Sequence, residues 1–266
     1  MPSFNLAGKK QHQGRSSLPP GLTPLGKLGQ AMNFQELKAS SPTMLVTMDH
    51  RAVLVAAWAA LQQGVFKEEA LLLRLDAHPD MGERPRPWEY EKSLLTDLDS
   101  VSAIVNATRL DDGGWVIPAL QWGFAKNVYS AFVHQYHRFP GDCSPYKDHL
   151  GTLHTLYTSS GCQEVLARFQ HAVDCEPNRP RWVDVDLDFA TTRLQNGNPR
   201  PWTNAEWEEQ FPPEALQQFA AFAQSANLIT ISLEPWFCGG VEACGKIARE
   251  FQARLSPYTT AFHGLA

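Results

Sequence analysis

The chain has no Cys-x-x-Cys pair, and its five cysteines, Cys143, Cys162, Cys175, Cys238 and Cys244, are odd in number. That pattern fits reduced thiols in a cytoplasmic protein better than a disulfide framework. No apolar run approaches the length of a membrane span. The first residues, "MPSFNLAGKKQHQG", lack the apolar core of a signal peptide. Positive charge is also short. A net charge of -5 gives no general reason to bind nucleic acid or an anionic membrane. Internal repeats are absent.

What remains is a soluble globular composition, 43% hydrophobic and 19% charged over 266 residues, enough for one α/β domain or two small ones. The charge is uneven. Lys9, Lys10, Arg15, Lys27 and Lys38 face Glu36 alone in the first 45 residues, so the rest of the chain is more acidic than the net value suggests. An acidic body suits a cationic ligand or metal ions.

Residues 7–30, "AGKKQHQGRSSLPPGLTPLGKLGQ", are rich in Gly, Pro, Ser and Lys and read as irregular. We therefore expect an irregular arm over 1–42 and a single α/β domain over 43–266. "TMLVT" (43–47) reads as a strand, and "RAVLVAAWAALQQG" (51–64) as a helix ended by Gly64. "EALLLRLDA" (69–77) and "RWVDVDLDF" (181–189) are too apolar for half-exposed strands and predict strands buried on both faces. "CQEVLARFQHAV" (162–173), "EALQQFAAFAQSA" (214–226) and "VEACGKIAREFQARL" (241–255) read as helices, and "LITISLEP" (228–235) as a strand. "VSAIVNATRL" and the stretch 115–136 read as strand or helix. Strands alternating with helices predict a mostly parallel central sheet flanked by helices.

Four apolar runs end in acidic or imidazole groups: "TMDH", "RLDAHPD", "WVDVDLD" and "TISLEP". In an open parallel sheet, ligands bind beyond the carboxyl ends of the strands, so these ends would converge on one edge. On a continuing strand Asp76, His78 and Asp80 share a face, as do Asp184, Asp186 and Asp188. Such clusters repel one another unless they hold a cation. An EF-hand is excluded for the second motif, because Phe189 stands where the loop needs Gly and Gln195 where it needs Glu. Each motif has a plainer reading. Asp76–Asp80 is also a surface turn with a helix cap, the Asp184 group is also a set of solvated charges, His50 alone is a core or capping group, and Glu234 is also an exposed residue before Pro235. Their joint occurrence at strand ends favours a metal site. Cys238, beside Gly239 and Gly240, reads as an inert buried thiol.

"DAHPD" followed by "DVDLD" resembles the signature of the arginase/ureohydrolase-like superfamily, and "MDHR" is similar to its upstream Gly-Asp-His stretch, with Met48 in place of Gly. The second motif lacks the Gly and Asp-Pro ending of free-arginine enzymes. It resembles a divergent branch that includes peptide arginases of ribosomal peptide (RiPP) maturation. The resemblance implies a three-layer arginase-like α/β fold and two Mn²⁺ per chain. His50, Asp76, Asp80 and Asp184 would hold one ion; His78, Asp76, Asp184 and Asp186 would hold the other, with Asp188 able to replace a member of the second motif. This hard, oxygen-rich set suits Mn²⁺ over Zn²⁺. Deacetylases of the same broad fold, with a single zinc, lack the equivalents of Asp80 and Asp186.

The implied function is a cytoplasmic amidinohydrolase converting arginine residues in a precursor peptide to ornithine and urea. Asp80 would carry the proton, and Glu234 would pair with the guanidinium. The loop "MGERPRPWEYEK" (81–92) lacks the small polar residues that hold a free amino acid's α-groups and the family's shuttle histidine. Trp88 and Tyr90 would line a peptide groove instead, and His134, His137, His149 and His154 are the remaining shuttle candidates. Hydrolysis of a small guanidino compound or amide, and a non-catalytic metal- or peptide-binding module, are the alternatives. A homo-oligomer is left open.

Overall fold

The computed structural model describes residues 42–78, 80, 95–107, 114–132, 142–194 and 197–265. The expected arm, apart from residue 42, lies outside them, as do Trp88, Tyr90, His134 and His137.

In chain order the described elements are β1 (Thr43–Thr47), α1 (Ala52–Gln62), β2 (Ala70–Asp76), α2 (Leu98–Ala107), α3 (Val116–Gln121), β3 (Ala125–Phe132), β4 (Asp142–Lys147), β5 (Leu153–Ser159), α4 (Cys162–Cys175) and β6 (Arg181–Asp186). A 3-10 turn over Leu187–Ala190 follows, then β7 (Thr191–Arg193), β8 (Pro199–Pro201), α5 (Asn204–Gln210), α6 (Pro213–Gln224), β9 (Leu228–Ser232), α7 (Pro235–Cys238) and α8 (Val241–Leu255). The central sheet has the order β1-β9-β6-β2-β3-β5-β4. Every neighbouring pair is parallel except β4 with β5. The expected α/β architecture, a mostly parallel sheet between two layers of helices, is the one observed. The antiparallel β4–β5 edge and the small β7–β8 ribbon were not foreseen.

The pleat explains how the sheet serves a site. Leu71, Leu73 and Leu75 of β2, Val183 and Val185 of β6, and Ile229 and Ile231 of β9 share one face. They pack with Phe169, Phe219 and Phe251 from α4, α6 and α8 in a wholly apolar core. The opposite face starts the same way: Leu72, Trp182 and Leu228 meet α1 and Trp115. Further along each strand this second face turns polar, through Arg74 and Asp76 on β2, Asp184 and Asp186 on β6, and Thr230 and Ser232 on β9. All six side chains are buried. Cross-strand register lines them up, Arg74 beside Asp184 and Asp184 beside Thr230. β2 leads on to β3 at one side, whereas β6 at its other side leads to β9. The polar rows therefore lie at the point where strand order reverses, the usual ligand crevice of an open parallel sheet.

Two strands stop earlier than their patterns suggest. β6 ends at Asp186, and Leu187–Ala190 winds into the 3-10 turn. Phe189 is the cause. Its ring enters an aromatic cluster, 5.4 Å from Trp202, 5.7 Å from Trp207 and 5.5 Å from Phe251. Burying it contributes roughly 1.5–3 kcal/mol, enough to turn the chain out of the sheet. β2 likewise ends at Asp76, so His78 and Asp80 belong to the turn beyond it. Of the stretch 115–136, the described residues 115–132 hold α3 and β3, and "VSAIVNA" lies in α2. No described helix is long and apolar enough to cross a membrane. All five cysteines are free thiols.

Candidate metal centre

His50 enters the site from the turn between β1 and α1 and is fully buried. Its Nε2 lies 2.9 Å from Asp184 Oδ2. The other Asp184 oxygen accepts the Thr230 hydroxyl at 2.6 Å. With Nε2 engaged by the Asp184 carboxylate, Nδ1 is the ring nitrogen that faces the rest of the cluster. Nδ1 is buried and without a hydrogen-bond partner. It nevertheless stands 3.0 Å from Asp186 Oδ2, 3.2 Å from Asp80 Oδ2 and 3.6 Å from Asp76 Oδ2. Burial lowers the His50 pKa, but Asp184 and Asp186 outweigh it and raise it well above its ordinary value, so a proton or a metal ion must lie between Nδ1 and these oxygens.

The turn after β2 repeats the arrangement. Asp76 Oδ1 accepts His78 N at 2.6 Å, folding the chain back. His78 Nδ1 lies 2.8 Å from Asp188 Oδ2 and 3.8 Å from Asp76 Oδ1. Asp188 is positioned by backbone amides: its N–H donates to Asp186 Oδ1 at 3.1 Å, and Ala77 N donates to its Oδ1 at 3.2 Å. Asp188 Oδ2 is buried and has no hydrogen-bond partner. Two groups suited to a metal thus overlap: His50, Asp76 and Asp186 form one, and Asp76, His78 and Asp188 the other. Asp76 belongs to both. Asp80 borders the first. Asp184 is brought to the back of His50, where it orients the ring.

Asp80 and Glu234 are the described non-glycine residues with positive φ, at 48° and 38°. Such backbone costs on the order of 1–3 kcal/mol and concentrates at functional positions. Glu234 is buried at the start of α7, and its Oε1 accepts His50 N at 2.8 Å. Asp80 Oδ2 accepts Trp115 Nε1 at 3.0 Å. It also accepts the Arg74 guanidinium, which bonds Asp76 Oδ2 as well. Arg74 and Trp115 were not foreseen as site residues. The signal was present for Arg74: a cation two positions before Asp76 in an otherwise apolar strand must share its face. His149 and His154 stand at the opposite end of the sheet, bonded to Gln121 Oε1 and Lys126 O.

Burial dominates the electrostatics. It pushes Asp186 up to about 7, with Asp188 adding repulsion, and Glu234 up to about 10, with Asp186 adding to it. Burial and the Asp80 charge hold Asp76 well above the usual carboxylate range. Burial also disfavours the Asp80 charge, but Arg74 outweighs it and holds that carboxyl below its ordinary value. The cluster therefore carries more negative charge than its surroundings solvate, the condition a divalent ion relieves. With ordinary values near 4 in the unfolded chain, Asp186 and Glu234 retain protons in the metal-free folded state that the unfolded state has released. Their contribution to stability is present at low pH and is lost as pH rises through the folded values. The chelator-treated chain should lose on the order of 5–10 °C in melting temperature between about pH 5 and 9. Saturating Mn²⁺ should reverse the trend, because metal competes with those protons. Melting curves with and without chelator read both slopes; a metal-free midpoint that rises over this range would contradict the buried-carboxyl picture.

No family model matches the sequence, and no curated protein matches it. Among solved structures, the chain is similar to proclavaminate amidino hydrolase from Streptomyces clavuligerus, at 14% identity and a TM-score of 0.49, over 83% of this chain and 64% of that one. It is also similar to a hypothetical agmatinase from Burkholderia thailandensis, at 16% identity and a TM-score of 0.44, over 80% of this chain and 60% of that one. The chain spans less than two thirds of the length of either. Likenesses at this level assign no role to any residue.

Proposed function

We propose that the chain is a metal-dependent hydrolase of guanidinium C–N bonds, acting on arginine side chains within a peptide to give ornithine and urea. The observation that carries this reading is the pair of His/carboxylate groups sharing Asp76, with His50 Nδ1 and Asp188 Oδ2 buried and lacking hydrogen-bond partners. The donor set is hard and oxygen-rich, which fits two Mn²⁺. In this assignment Asp76 and Asp186 would serve both ions, His50 and Asp80 would complete the holders of one, and His78 and Asp188 those of the other. It takes Asp186 and Asp188, in place of Asp184 and Asp186, as the metal-binding pair of the second motif.

When bound, the ions supply the Lewis acidity that lets water act as a nucleophile near neutral pH. The chain supplies the rest. Asp184 and Thr230 hold the imidazole of His50 in one tautomer. Asp80, tethered at Oδ2 by Arg74 and Trp115, keeps its second oxygen to take a proton from the attacking water and pass it to the leaving amine. Glu234 keeps one oxygen on His50 N and offers the other to the guanidinium. Cations in the cluster neutralise Asp186 and Asp188, which favours the ionised form of Glu234.

The peptide part of the reading rests on the mouth of the site and on loop 81–92. The His78 side chain is 32% exposed, its ring is packed edge-on by Phe237, and the neighbouring Trp236 is 52% exposed. The sequence of 81–92 carries Trp88 and Tyr90 but no small polar pair for an amino acid's α-groups. Remote contacts along a peptide would then position the side chain. The test compares free L-arginine, agmatine and arginine-containing peptides, read by urea release and by the mass change to ornithine. Peptides should turn over at least about tenfold more efficiently. Faster turnover of free arginine than of every peptide would sink the peptide reading and leave the guanidino hydrolase standing.

A further inference from the structure

We infer that Arg74 is a resident cation of the His50–Asp80 side of the centre, and that it makes the two metal half-sites unequal: the Asp76–His78–Asp188 half fills first, and the ion beside Arg74 binds more weakly. The inference rests on the metal-dependent reading above. Arg74 has no exposed surface, and a guanidinium stays charged at any working pH. The strand pleat places it on the face of Asp76, and its Nη2 donates to Asp76 Oδ2 and to Asp80 Oδ2. These are the two oxygens that His50 Nδ1 faces at 3.6 and 3.2 Å. Asp184, behind His50, is 3.6 Å from Arg74 Nε. The Trp115 ring lies 4.8 Å from the guanidinium carbon and holds it in place.

Asp76 divides the centre. Its Oδ2 serves the side shared with Arg74, and its Oδ1 serves the side of His78. An ion at the His50–Asp80 side meets carboxylates already engaged by a fixed positive charge, and like charges at short range in a buried site repel strongly. An ion at the His78–Asp188 side meets that charge only across Asp76. Arg74 is a positioning residue in this account, acting through Asp76 and Asp80.

The test is calorimetric titration of the chelator-stripped full chain with Mn²⁺, with bound metal counted by elemental analysis. The wild type should show two steps, the second at least about tenfold weaker. Arg74→Met should strengthen the second step about tenfold, so that the two approach each other, whereas Arg74→Lys should keep them apart. Asp80→Asn should remove the weak step and His78→Ala the tight one. If Arg74→Met does not fold, as judged by circular dichroism, Arg74→Gln is titrated in its place with the same expected result, and the Asp80→Asn and His78→Ala pair assigns the steps. Two equal steps in the wild type, or loss of the tight step on Asp80→Asn, would overturn the inference. Absence of any bound metal would instead overturn the metal-dependent reading on which it rests.

Discussion

Asp76→Ala should leave the purified chain nearly free of manganese, lower turnover by about a thousandfold or more, and abolish any rise in melting temperature on adding Mn²⁺. Its carboxylate is shared by the two groups that could hold a metal, so its removal would strip a ligand from each at once. The same carboxylate folds the turn by accepting His78 N at 2.6 Å, so the second group also loses its geometry. The chain should still fold. Arg74 keeps Asp80 as a partner, and Asp184 lies 3.6 Å from it, so the penalty stays below the roughly 3–5 kcal/mol of a fully broken buried ion pair. Asp76→Asn, which keeps the shape and the His78 bond, should fold better and still lose most metal. Elemental analysis of both variants, paired with melting curves with and without Mn²⁺, reads these outcomes. Full metal occupancy in Asp76→Ala would remove the shared-ligand arrangement and the proposed chemistry with it.

The architecture was legible because its strands are of the kind buried on both faces. "ALLLRLD" and "LITIS" are largely apolar runs between helical patterns, and that alternation predicts a parallel sheet. The β4–β5 edge was not legible: β4 is largely exposed and carries Pro145, so it has neither an apolar run nor a clean alternation. The convergence of four strand ends also followed from the sequence, because parallel strands must end on the same edge. Three features needed coordinates. Glu234 reads as a strand-end residue but sits in a left-handed turn that folds its carboxylate onto the His50 amide. Arg74 looks like an interruption of a strand until its register beside Asp184 shows the charge it answers. The second acidic motif, "DVDLD", has a period of two throughout, so the sequence cannot say which of its three carboxylates faces an ion.

That ambiguity sets the last expectation. Asp188→Ala should cost one of the two ions and nearly all turnover, whereas Asp184→Asn should keep both ions and weaken their binding by only about 10–100-fold. The difference follows from where the chain leaves the sheet. Asp184 is still on β6, and both its oxygens are in use: one faces His50 Nε2 at 2.9 Å, the other accepts Thr230 at 2.6 Å. Asp188 is on the 3-10 turn that Phe189 draws toward the aromatic core. Ala77 N donates to its Oδ1, and its Oδ2 faces His78 Nδ1 at 2.8 Å. Both Asp184 oxygens are engaged by aligned hydrogen bonds that fix His50, whereas Asp188 Oδ2 faces the His78 ring without an aligned hydrogen bond, so a metal ion can take the place between them. Asparagine at 184 keeps an oxygen for Thr230 or for His50 but not the charge that favours one tautomer, so binding weakens without losing stoichiometry. Metal counts on the two variants at saturating Mn²⁺ separate the cases. If Asp184→Asn loses an ion while Asp188→Ala keeps both, the ions are held by Asp184 and Asp186, and the turn at Leu187–Ala190 serves packing alone.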